Sequence, residues 1–141
     1  MKNKNGFTLI ELLAVLAILG VIGTIIYPIV SDILSDAEEK AYNQQINAIK
    51  RAAKNYASDN SSILIEINEN DEIQNKSCYV KLSSLKSGGY LENEDTIDPR
   101  DDNNINDAVV DLEYDFANNQ YNYTVNISGT SSLEECVAAT K

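Results

Sequence analysis

The chain has 141 residues, 22 of them acidic against 11 basic, with no histidine and a formal net charge of −11. A surface that acidic repels nucleic acid phosphates, so direct nucleic-acid binding is not expected. Without a histidine, a glycine-rich phosphate loop or a nucleophile elbow, the chain gives no support to an enzyme.

The first element is apolar. From Phe7 to Val30 about two dozen residues carry one charge, Glu11, and the run is long enough to cross a bilayer as a helix. Lys2 and Lys4 precede it, while Asp32, Asp36, Glu38 and Glu39 follow, which predicts an N-terminus in the cytoplasm and export of everything beyond Val30. A secretory signal would have a shorter apolar core and a small-residue cleavage site after it; Ser31-Asp32 is a poor one. A carboxylate in hydrocarbon is costly and normally marks function. The plain alternative is an acid that is protonated or reaches back to the headgroups.

The segment Gly6-Phe7-Thr8-Leu9-Ile10-Glu11 after a short basic leader resembles the class III signal of type IV prepilins and type II secretion pseudopilins. The resemblance covers roughly the first 30 residues. It implies cleavage between Gly6 and Phe7 by a membrane aspartic prepilin peptidase, which also methylates the new amino group of Phe7. It further implies that Glu11 pairs with the Phe7 amine of a neighbouring subunit. The chemistry agrees, because an opposite charge nearby stabilises a carboxylate in low dielectric. Gly20, Gly23 and Pro28 fall where such chains weaken the helix. Pro28 cannot donate to the carbonyl of Thr24, and each glycine weakens a helix by about 1 kcal/mol relative to alanine. A small-residue packing face and a segment that unwinds on assembly are both compatible with them.

The division expected is a leader at 1–6, a membrane or filament-core half-helix at 7–30, an amphipathic half-helix at 31–60 and a globular head at 61–141. From Ser31 to about Asp59, apolar residues recur at three- and four-residue steps through Ala41, Ile46, Ile49, Ala52, Ala53, Tyr56 and Ala57, an alanine-lined stripe suited to close packing on a sheet. Lys50, Arg51 and Lys54 form the chain's one basic cluster and read as a solvated helix face. Beyond Asn60 the period changes. Ile63–Ile67 reads as a strand or a last helical turn, Cys78–Leu82 as a short strand, and Ser83–Gly89 as a one-turn helix ended by glycine. Val110, Leu112, Tyr114 and Phe116 alternate with acids, and Tyr121, Tyr123, Val125 and Ile127 alternate with Asn and Thr. These two strands are joined as a hairpin at Ala117–Gln120. The fold class expected is α+β, a long N-terminal helix on a small antiparallel sheet, which is similar to the pilin α/β roll.

Cys78 and Cys136 are the only cysteines, and an even count in an exported domain favours a disulfide over two free thiols. It would tie down the tail Leu133–Ala139. In the loop Asp102–Glu113, Asp102, Asn104, Asn106 and Glu113 match positions 1, 3, 5 and 12 of a calcium loop. Against calcium stand Asp107 in place of the required glycine, Pro99 upstream and a strand rather than a helix downstream. A solvated acidic loop is the preferred account, so the expected metal and cofactor complement is none, with calcium as the weak candidate.

The resemblance makes the chain a structural subunit of a type IV pilus. Its partners would be copies of itself and other pilins in a helical filament, the prepilin peptidase, an inner-membrane assembly platform and, before assembly, membrane lipid. It would reside in the cytoplasmic membrane as a single-pass protein and afterwards in an extracellular fibre. A pseudopilin of a secretion or DNA-uptake machine, in a periplasmic or cell-wall pseudopilus, is the near alternative. A membrane-tethered extracellular binding domain that never polymerises is the alternative of another class.

Overall fold

The computed structural model describes residues 6–137. The chain divides into two compact units, residues 1–39 and 40–141. Helix α1 (Leu9–Asp59) belongs to both.

In the first unit α1 is built from Leu, Ala, Ile and Val, and every described side chain as far as Asp36 is exposed. An 18-residue window of this stretch has a mean hydropathy of 2.7 with no part buried. Lipid offers no hydrogen bonds, so a spanning segment must satisfy its backbone internally, and a helix does that. Pro28 lies inside the helix without ending it. Thr24, whose carbonyl loses its donor there, donates its own hydroxyl to the carbonyl of Val21 at 2.7 Å.

The second unit holds a conventional core. Ile49, Ala52, Ala53 and Ala57 of α1 are buried at helical spacing. They pack with Ile63, Val80, Leu82, Leu85, Ile105, Ala108, Val110 and Leu112 in one cluster. Three of the four buried helix residues are alanine. A 3₁₀ turn (Ser61–Leu64) leads into β1 (Ile65–Ile67), which pairs antiparallel with β2 (Ile73–Asn75). Ile63–Ile67 is thus both a helical turn and a strand, in succession. The β1–β2 hairpin is tied by Asn68, whose side-chain oxygen accepts from the amides of Asn70 and Glu72, both at 2.9 Å.

The main sheet is β3 (Cys78–Lys81), β4 (Val109–Asp115) and β5 (Gln120–Asn126), in the order β3-β4-β5 and antiparallel throughout. Between β3 and β4 lies α2 (Leu82–Ser87). Leu82 therefore opens the helix rather than closing the strand, although its amide still donates to the carbonyl of Ala108 at 2.9 Å. In register, Val80 faces Val110, which faces Val125, while Cys78 faces Leu112, which faces Tyr123.

The expected alternation of β4 holds for Val110 and Leu112 but not throughout. Val109 and Asp111 are buried as well, so the first half of the strand is covered on both faces. Asn126 donates to Asp111 at 2.9 Å on that second face. The chain beyond β5 closes in near Asp107, where Gly129 has φ +72 and a Cβ would meet the Asp107 carbonyl at 2.8 Å, so only glycine fits. Phe116 lies outside the strand, 80 % exposed, its ring edge-on to Tyr114. The hairpin turn is Phe116–Asn119, and Gln120 already pairs with Asp115. Asp115 accepts from the amides of Ala117 and Asn118 and from the Asn118 side chain, and these bonds, that from the Asn118 side chain foremost, hold its carboxyl below the usual range.

The tail adds itself to the free edge of β3. Tyr79 donates to the Glu134 carbonyl at 2.9 Å, and the Cys136 amide donates back to Tyr79 at 2.8 Å. Cys78 and Cys136 are bonded as a disulfide, their Cα atoms 5.0 Å apart. Of the expected tail, Ala138 and Ala139 lie outside the described residues.

Candidate functional site

The site of interest is the start of α1. Residues 6–8 precede the helix without regular structure, and Gly6 and Phe7 are both exposed, so the bond between them is accessible. Lys2 and Lys4 lie outside the described residues. A helix start leaves its first amides without intrahelical acceptors. Thr8 and Glu11 answer that need together. The amide and hydroxyl of Thr8 donate to one carboxylate oxygen of Glu11 at 2.8 and 2.7 Å, and the Thr8 hydroxyl oxygen accepts from the Glu11 amide at 3.3 Å. This is a capping box, Thr-x-x-Glu, worth on the order of 1 kcal/mol to a helix start.

Thr8 is the residue that sequence reasoning passed over, although its signal is plain: a Thr three positions before a Glu at the head of an apolar run. The arrangement gives Glu11 a local role besides any role toward a partner. Its carboxylate is oriented by Thr8 at the helix N-terminus, where the backbone dipole favours negative charge. It stands four residues from the bond whose cleavage would create an amine.

Gly20 and Gly23 lie farther along the same helix. A Cβ at either, or at Gly6, would meet nothing within 4 Å, so packing within the chain does not call for glycine at these three positions.

The other candidates lie in the second unit. Of the calcium-loop residues, Asn104 accepts from the Asn106 amide at 2.8 Å. The Asn106 side chain is already engaged: its oxygen accepts from the Lys86 ammonium and from the Thr96 amide, and its nitrogen donates to Asp95. That oxygen thus already faces a cation, the Lys86 ammonium. Glu113 lies four residues into β4, opposite Asn122, and Asp102 sits at φ 55 in the preceding loop. Among the described residues no group of three or more His, Cys, Asp or Glu side chains converges as a metal site. The loop does have an ionic anchor elsewhere. Asp98, almost wholly buried, takes both Nε and Nη2 of Arg100 at 2.9 and 2.6 Å, and the guanidinium lies 3.4 Å over the ring of Tyr42. Those hydrogen bonds hold the Asp98 carboxyl below the ordinary range against the opposing effect of burial.

Residues 1–27 match the family model described as the prokaryotic N-terminal methylation motif. No curated protein and no solved structure matches the chain. The motif is the class III signal peptide of type IV pilins and pseudopilins, a structural rather than a catalytic class of protein. Together with the exposed apolar half of α1, it supports a membrane-anchored precursor of the type IV pilin-like or pseudopilin kind.

Proposed function

We propose that this chain is the structural subunit of a type IV pilus, cut between Gly6 and Phe7 by prepilin peptidase, methylated on the Phe7 amine and polymerised through α1. The observation that carries the reading is the methylation motif over residues 1–27, which runs into α1 where its large apolar side chains, from Leu9 to Leu34, are exposed. Such a helix needs two successive environments, bilayer and then the packed helices of other copies. Cleavage supplies the counter-ion. The Phe7 amine of an incoming subunit attracts the Glu11 carboxylate, and the axial offset between copies is set by where amine and acid meet. Thr8 holds the carboxylate at the helix start until that amine arrives.

The test is the mass of the N-terminal peptide in fibres sheared from the cell surface. N-methyl-Phe7 is expected, and an intact Met1 would sink the proposal. Mature chain that stays with the cell envelope and yields no sheared fibre would favour a pseudopilus. Uncleaved, monomeric protein would favour a tethered binding domain.

A further inference from the structure

Two of the grooves on the second unit flank the α1 stripe that faces the sheet, one on either side. On one flank Lys50, Arg51 and Lys54 border a groove of about 390 Å³ whose other wall is Tyr121 and Tyr123 of β5. The two ion pairs among the described residues are Lys81–Glu135 and Arg100–Asp98, so none of these three cations is in an ion pair among the described residues. Lys50 and Lys54 stand at i and i+4, a spacing at which like charges repel. On the other flank a groove of about 320 Å³ is bordered by Gln45 and Ala48 and by the exposed acids Glu92, Glu94 and Asp95. The Gln45 side-chain oxygen there is buried and has no partner among the described residues.

A basic patch and an acidic patch at different places on one unit are complementary between copies, not within one. Contacts of that kind are heterologous, and repeated without closure they generate an open helical array. We infer that the basic groove of Lys50, Arg51 and Lys54 receives the acidic loop Glu92–Asp95 of the next copy of this chain. The inference deepens the filament reading and rests on it. The chain's charge of −11 disfavours the competing occupant, a nucleic acid strand laid across the lysines and tyrosines. The contact selects partner and register more than it adds affinity, and added salt weakens it.

The experiment treats filaments sheared from cells that express the chain with a zero-length carbodiimide, isolates the dimer and identifies the joined peptides. Lys50 or Lys54 joined to Glu92, Glu94 or Asp95 is expected. The variant K50E/R51E/K54E should lower dimer yield about tenfold. Adding E92K/E94K/D95K to it should restore the yield, a rescue that a merely misfolded variant cannot show. Filaments whose dimers are joined only elsewhere overturn the inference and leave the pilus reading intact. So does an oligonucleotide retained by wild-type filaments and lost by the triple variant. A wild-type chain that forms no filament overturns both.

Discussion

The two halves of α1 obey the same backbone rules and opposite side-chain rules. Between Leu9 and Val30 its leucines, isoleucines and valines are exposed, Leu9 by 78 %. Between Lys40 and Asp59 the buried positions are one isoleucine and three alanines. The residues with most apolar surface to hide are therefore the ones this chain leaves unhidden. The second unit is stabilised by its own core, whereas on the proposed reading the first is completed by lipid or by other copies, which makes stability and assembly separable by mutation.

The largest separation is expected at Glu11. Replacing it with alanine should leave cleavage at Gly6–Phe7 intact and abolish sheared fibre, while the thermal midpoint of the second unit in detergent stays unchanged. Normal fibre from that variant would remove the role assigned to the acid. Leu85→Ala is the converse. It empties a fully buried site in the core cluster and should cost about 2–5 kcal/mol in denaturant unfolding. Leu13→Ala, on the exposed half, should cost the second unit nothing.

The same contrast explains what could be read in advance. An unbroken apolar run with one acid is a one-dimensional signal, and so is the alanine stripe from Ile49 to Ala57. The long helix and the β4–β5 hairpin were legible for that reason, and the Cys78–Cys136 bond from the even cysteine count. The β1–β2 pair was not, because Ile73-Gln74-Asn75 is exposed at every position and carries no burial pattern. Asp111 was misplaced because its partner, Asn126, lies on the neighbouring strand β5, a contact that periodicity within one strand cannot register. Asp98–Arg100–Tyr42 is hidden in the same way: the acid and guanidinium are two residues apart, but the aromatic lies on a helix far upstream. At the candidate site, Glu11 stood out by its apolar surroundings, whereas Thr8, an ordinary residue there, becomes visible only as half of a capping box.

Next in size is the tail. The Cys78–Cys136 bond closes a separation of 58 residues, and its loss through a double serine variant should lower stability by about 2–4 kcal/mol. The edge hydrogen bonds should open with it, seen as faster hydrogen exchange at the Tyr79 amide and at the amide of position 136. Fast exchange at Tyr79 in the oxidised wild type would show instead that the disulfide does not hold the tail in place.

The smallest effect expected is conditional on pH. Asp98 has its carboxyl held below the ordinary range, chiefly by the Arg100 side chain. A group whose folded pKa is depressed contributes stability that is present above its unfolded pKa, near 4 for an aspartate, and is lost as pH falls through the lower folded value. Asp98→Asn should therefore lower the thermal midpoint at neutral pH, and the gap from wild type should close as both are taken below about pH 4. Arg100 is partly open to solvent, so the variant's loss is modest beside that of Leu85→Ala. The variant bears on the loop that carries Glu92–Asp95 as well as on the core, since Asp98 and Arg100 anchor that loop against Tyr42 of α1. A gap that persists unchanged into acid would mean that Asp98 acts through packing and neutral hydrogen bonds rather than through its charge.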